Sequence, residues 1–219
     1  MHGKLFAALL AMTDMEKELY TTVKGYTEKE IDKIKGSRFI GRLYRISGRD
    51  EAELLLDAAR KKYYDATHNC FAYAAGTGDR RVTRSSDDGE PSGTAGRPIL
   101  AVLEGSGVTD ALLVVTRYYG GTNLGTGGLI KAYTEAAKAV IESAEKETVE
   151  IYDCAKFSYK YDITSTVMSL LSKYEASVSS EDFGQEGPNV KVRVNRGFSE
   201  DFVKEIFEKS NGSVKAEIC

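Results

Sequence analysis

Apolar and polar positions along the chain fall into two regimes. From about residue 20 to 147, strand-like and helix-like stretches are mixed. Phe39, Gly41 and Leu43 alternate with Ile40 and Arg42 at the two-residue period of a strand. Residues 50–62 are rich in Ala, Leu, Glu, Lys and Arg, which favours a helix, and Asp50 stands where it can cap the start. Residues 69–75 read as a strand. Residues 111–119 form a short continuous apolar run that suits a strand buried on both faces. Between these strands, residues 98–104 read as a short helix, with Pro98 at the first helical position and Gly105 and Gly107 after the end. The longest predicted helix covers 127–146. Its apolar stripe holds Leu129, Tyr133, Ala136, Ala137, Val140 and Ala144, with Lys131, Glu135, Lys138, Glu142 and Glu145 elsewhere.

From about 148 to 219 the order is strand, helix, strand, strand, helix, strand. Residues 149–161 are strand-like, and Asp162 is placed to cap a helix holding Val167, Leu170, Leu171 and Tyr174. Val190, Val192 and Val194 alternate with Lys191 and Arg193, and Gly184 and Gly187 flank the turn before them. Ser199 is placed to cap the last helix, which Asn211 and Gly212 end. This βαββαβ order is the ferredoxin-like signature. The expected class is therefore α+β with two domains, 20–147 and 148–219, preceded by a leader or loose segment over 1–19.

Composition narrows the function. Apolar residues make up 42% and charged residues 29% of the 219, enough for an ordinary soluble core. No run approaches a membrane span, and residues 5–12 lack the flanks of a secretory signal. Cys70, Cys154 and Cys219 are odd in number and widely spaced, so neither a disulfide framework nor metal-ligand spacing is expected, and a reducing, cytoplasmic compartment is. Net charge is −3, and residues 150–219 carry 9 basic and 12 acidic groups. Neither half is a strongly basic module, so contact with RNA has to be local.

The chemistry concentrates in residues 86–133. Over 86–98, three carboxylates (Asp87, Asp88, Glu90), three glycines and two prolines make a loop. These carboxylates either bind a divalent cation or bond N–H groups of their own loop, the second being preferred. Over 120–128 come five glycines: Gly120, Gly121, Gly125, Gly127 and Gly128. They follow a buried strand and precede a helix, which suits a phosphate cradle or a tight turn needing positive φ. The P-loop pattern fails because Thr126 and Gly127 stand where Lys and Ser/Thr belong, and the dinucleotide pattern fails at Ile130. His68 and Cys70, two apart on a strand, make a poor catalytic pair, so His68 is read as structural. Arg117 with Tyr118 and Tyr119 suits phosphate pairing and base stacking, although alternation sends the tyrosines to opposite faces and one into the core. Arg84, Arg97 and Lys131 complete the basic groups expected around the glycine loop. No metal or cofactor is expected, and the chain reads more as a binding protein than as an enzyme.

Two long motifs carry a resemblance. Asp87-Asp88-Gly89-Glu90-Pro91-x-Gly93-Thr94-Ala95-Gly96-x-Pro98-Ile99-Leu100 is similar to the signature of the IMPACT N-terminal domain. So is the segment Val115-Thr116-Arg117-Tyr118-Tyr119-Gly120-Gly121-x-x-Leu124-Gly125-x-Gly127-Gly128-Leu129-x-x-Ala132-Tyr133. Ser37 to Ile40 and His68 to Tyr73 resemble its earlier blocks. The chain thus resembles the bacterial branch of the IMPACT/YigZ family (UPF0029-type), without the RWD domain of the eukaryotic member. The resemblance implies a first domain folded like the second domain of a small-subunit ribosomal protein and of GHMP kinases. It implies a second domain like domain V of elongation factor G. It also implies a link to regulation of translation through RNA or the ribosome. An enzyme acting on a phosphorylated small molecule and a protein-interaction module are the alternatives.

Overall fold

The computed structural model describes residues 16–219. The described residues divide into two compact units: Tyr20–Val149, and Glu150–Cys219 together with residues 16–19. Of the segment read as a loose leader, residues 1–15 lie outside the described residues. Lys17 is ion-paired with Glu150 and Glu175 at 3.0 and 2.7 Å, and the Glu18 N–H donates to Asn195 Oδ1 at 2.8 Å.

The first unit opens with β1 (Leu19–Val23), which forms a two-stranded sheet with β7 (Lys146–Glu150). Its main sheet has five antiparallel strands: β2 (Tyr26–Glu30), β3 (Arg38–Arg45), β4 (His68–Ala75), β5 (Val82–Ser86) and β6 (Ala111–Tyr118). Their order across the sheet is β2-β3-β6-β4-β5. Helix α1 (Arg49–Lys62) covers one face over Phe71, Tyr73, Leu112 and Val114. Helices α2 (Gly96–Gly105) and α3 (Gly125–Ser143) cover the other, over Phe39, Leu43, Ala72 and Val115. Because β4 and β6 have core on both sides, they read as unbroken apolar runs. Gly41 sits where α3 crosses β3: a Cβ there would lie 2.8 Å from the Ala136 carbonyl.

The helix starts differ from the pattern reading. Asp50 does not cap α1; the preceding Gly48 does so without a side chain, and Glu51 reaches back to the Ser47 N–H at 2.7 Å. Pro98 is the third residue of α2, not the first. Helix α3 begins two residues early, at Gly125, and stops at Ser143, leaving Ala144 outside.

The second unit holds β8 (Tyr152–Ser158), α4 (Thr164–Lys173), β9 (Ser177–Phe183), β10 (Pro188–Asn195), α5 (Ser199–Lys209) and β11 (Glu217–Ile218). The sheet order β11-β8-β10-β9, all antiparallel, is the ferredoxin-like arrangement. Phe157, Val167, Leu170, Val192, Phe202 and Ile206 form its core. The strand expected over 149–161 is two strands, β7 and β8, which belong to different sheets. Asp162 lies in a 3-10 turn before α4 and caps nothing, and Ser199 is the first helical residue of α5, with its hydroxyl donating to Asp153 at 3.0 Å. Among the described residues no helix is long and apolar enough to cross a membrane.

The expectation that the cysteines stay unpaired is corrected. Cys154 and Cys219 are bonded, with Cα atoms 5.2 Å apart, where β11 runs beside β8. Their 65-residue separation gave no hint of this, because the sheet brings the chain end back to β8. A bridge closing so long a loop stabilises by roughly 2–4 kcal/mol. Urea titration with and without reductant is expected to show a loss of that size in the second unit, matched by Cys219→Ser. Cys70 is a free, buried thiol.

Candidate functional site

The pairing of β4 with β6 sets His68 directly opposite Arg117. Arg117 is the last residue of β6 on the α3 face, and its guanidinium lies 5.5 Å from the Phe39 ring and 5.4 Å from the Tyr119 ring. Its Nη1 donates to Glu90 Oε1 at 2.7 Å, and the Tyr133 hydroxyl donates to the same oxygen at 2.8 Å. Both charged side chains are almost wholly enclosed, at 6% and 3% exposure. The Arg117 Nε–H is buried and has no acceptor among the described residues. Leaving such a donor unpaired costs roughly 1–3 kcal/mol.

His68 stands beside this cluster and has a backbone partner, as a structural histidine does. Its Nδ1 lies 2.7 Å from the Asp88 carbonyl oxygen. A carbonyl can only accept, so Nδ1 carries the hydrogen, and Nε2 lies 3.8 Å from Glu90 Oε1. Cys70 is fully buried. Burial pushes its thiol up, as it does the Tyr133 hydroxyl 3.3 Å away, which favours the protonated form of both.

The three carboxylates separate into three tasks. Asp87 Oδ1 accepts the N–H groups of Ala95 and Gly96 at 2.9 and 2.8 Å, and Oδ2 that of Gly93 at 2.9 Å, so it braces the start of α2. Asp88 Oδ2 accepts the Asn69 N–H at 2.6 Å. Glu90 holds Arg117. Among the described residues there is no group of three or more His, Cys, Asp or Glu able to hold a metal ion. Burial alone would raise the Asp87 carboxyl, but the three N–H donors and Arg97 outweigh it and hold the group below its ordinary value. The sign follows: the stability Asp87 contributes is full above its unfolded value of about 3.9 and is lost as pH falls through the lower folded value. The gap in melting temperature between the native protein and Asp87→Ala is expected to be level near neutrality and to close below about pH 4.

The five glycines also divide. A Cβ at Gly120 would lie 1.9 Å from the Gly36 carbonyl carbon, so Gly120 is needed for backbone packing and not for a cradle. Gly121 and Gly125 take positive φ, 87° and 73°, to turn the chain into α3. At Gly128 a Cβ would press on the Leu124 side chain at 3.0 Å, whereas Gly127 faces open space. No side chain caps α3, and its first turn has no acidic residue. The leading N–H groups therefore stay available, with the positive end of the helix dipole behind them.

These parts meet in one cleft of about 540 Å³, lined by His68, Glu90, Arg117, Tyr119, Gly125 and Thr126 among others. An apolar groove between α2 and α3 is larger, about 640 Å³, but has no comparable convergence of polar groups on one point. Several expected residues lie elsewhere. Arg84 pairs with Glu53 on the α1 face, opposite Tyr73 in register. Tyr118 also faces away, with its hydroxyl on Asp65 at 3.2 Å. Neither tyrosine is core: Tyr118 is half-buried and Tyr119 is 46% exposed. Arg97 and Lys131 are exposed on α2 and α3 and do not line the cleft. The basic patch expected from four residues is thus one arginine, already paired.

An α+β protein of two units, with a buried Glu–Arg pair beside an uncapped helix start, is the class that fold and site define. Residues 35–141 match the family model described as the Impact N-terminal domain, and His68, Glu90, Arg117 and Gly125 all fall inside it. An IMPACT family member of Haemophilus influenzae is 34% identical over 188 residues, 85% of this chain and 91% of that protein. IMPACT family member YigZ of Escherichia coli K12 is 33% identical over 186 residues, 84% and 91% of the two chains. A crystal structure described as a hypothetical protein superposes with a TM-score of 0.68 at 31% identity, covering 92% of this chain and 97% of that one. The chain belongs to the IMPACT family.

Proposed function

We propose that this protein is a translation-linked regulatory protein that binds RNA, free or in the ribosome, without catalysing a reaction. The observation that carries this reading is the uncapped start of α3 opening onto a cleft that also holds Arg117 and the exposed ring of Tyr119. A helix N-terminus with arginine suits a phosphate, and an exposed aromatic ring suits a stacked base. Membership of the IMPACT family supports the link to translation.

Charge limits the contact. Glu90 offsets Arg117, and Glu53 offsets Arg84. No more than one phosphate is therefore expected to be neutralised, and the logarithm of affinity should fall against that of salt with a slope no steeper than about −0.7 for a single strand. Titration of single-stranded RNA and of purified ribosomes at about 50 to 200 mM salt tests this. Binding with that shallow slope, weakened about tenfold or more by Tyr119→Ala, is expected. No binding to either at the lowest salt contradicts it.

The same charge balance in a cleft of about 540 Å³ favours a second reading, a phosphorylated small molecule as ligand or substrate. Thermal shift with nucleotides and sugar phosphates, with and without Mg²⁺, separates the two.

A further inference from the structure

We propose that the Cys154–Cys219 bond is a redox latch, opened by small thiols and closed by oxidants, that decides whether β11 stays docked on the outer edge of β8. Oxidised, the bond pins residues 215–219 to the sheet. Reduced, it releases them and leaves the rest of the second unit folded.

Little besides the bond holds this segment. Strand β11 has two residues, both exposed, paired with Lys156 and Ala155 of β8. The Cys219 N–H donates to the Cys154 carbonyl at 2.8 Å, and Glu217 meets Lys156 at 3.2 Å. Those two side chains are 71% and 53% exposed, and an ion pair so open to water contributes little. The last fully enclosed residue is Val214, whose N–H donates to Ser210 Oγ at 3.0 Å. Ala216 packs on the core only in part, and no residue of β11 belongs to the core. A strand this short, lying beyond its last core anchor, frays once its covalent tie is cut.

The bond is also within reach of a reductant. Cys219 is exposed and Cys154 half-buried, whereas the free thiol of Cys70 is wholly enclosed. Exposed disulfides are the labile ones. A thiolate of the glutathione class attacks Cys219 Sγ. The S–S bond breaks, and Cys154 leaves as a thiolate. A second thiolate of the same class then displaces Cys219 from the mixed disulfide. Two electrons pass to the protein, and the two protons given up by the reductant thiols end on Cys154 and Cys219. The two reductant molecules end as one disulfide.

Opening the latch changes the surface of the sheet. Strand β8 is flanked by β10 on one side and by β11 on the other, so without β11 its outer edge is unpaired. Lys156 and Lys191 are direct partners across β8 and β10, and Arg193 stands opposite Cys154 on the same face. Like charges set opposite each other repel, and Glu217 offsets Lys156. Release of β11 therefore bares a strand edge and an exposed group of three cations together.

Hydrogen–deuterium exchange on the full chain tests this. The protein is compared oxidised, reduced by millimolar glutathione under native conditions, and reoxidised by glutathione disulfide. Complete reduction without denaturant is expected. Exchange at residues 216–219 and at Ala155 and Lys156 should then rise about tenfold or more, while β10, α4 and α5 keep their protection. Reoxidation should restore the slow exchange. Cys219→Ser should match the reduced protein and not respond to reductant. A bond that yields to glutathione only in denaturant is a structural staple and overturns the latch. Unchanged exchange at β11 after reduction overturns it too. So does loss of protection through β10, α4 and α5, because the bond would then hold the whole unit and not one strand.

Discussion

Glu90→Ala is expected to destabilise the Tyr20–Val149 unit by about 3–5 kcal/mol. Both members of the Glu90–Arg117 pair are enclosed, at 3% and 6% exposure, and Glu90 Oε1 also receives the Tyr133 hydroxyl. Removing the carboxylate strands a guanidinium that already lacks one acceptor and leaves the buried phenol without its partner. A loss of that size is a large share of the roughly 5–15 kcal/mol typical of a domain. Glu90→Gln keeps an acceptor for Tyr133 and loses only the charge, so a penalty of roughly half is expected. Urea unfolding followed by circular dichroism measures both. A cost under about 1 kcal/mol for Glu90→Ala would show that the pair is not enclosed as described.

Gly120→Ala is expected to cost about 3 kcal/mol or more. The added methyl carbon would stand 1.9 Å from the Gly36 carbonyl carbon and 2.2 Å from the Ser37 nitrogen, both backbone atoms that no rotamer change relieves. The end of β6 would have to part from the turn that precedes β3, and the Gly120 N–H would lose Ser37 Oγ at 3.1 Å. Gly127→Ala, seven residues on, is expected to go the other way. Its site is open and helical, so exchanging Gly for Ala stabilises by about 0.5–1 kcal/mol. Melting curves of the two variants side by side therefore test whether glycines of one loop serve different ends.

The contrast also shows what was legible in the sequence. Periodicity reported α3 and β10 well, because each sets a clean stripe against one core. It placed helix starts poorly: Asp50, Asp162 and Ser199 have the chemistry of caps, but the backbone enters each helix at a neighbouring residue. The motifs marked the right region for the cleft, but not which residues meet in it. Arg84 and Arg117 looked alike in the chain, and register sends them to opposite faces of the sheet. Nothing local in the chain shows that strand pairing puts His68 across from Arg117. Glycines could not be sorted into turn, close packing and open helix start without the backbone that approaches Gly120. The Cys154–Cys219 bond likewise depends on β11 returning beside β8, which no local pattern records.

The central claim is that the start of α3 and Arg117 together form a phosphate site. Two-dimensional amide NMR during titration with an RNA trinucleotide tests it most directly, because the Arg117 Nε–H gives its own resonance. Saturable shifts confined to the amides of Gly125, Thr126 and Gly127 and to the Arg117 Nε–H are the expected result. Shifts that spare these groups, or that fail to saturate, would contradict it.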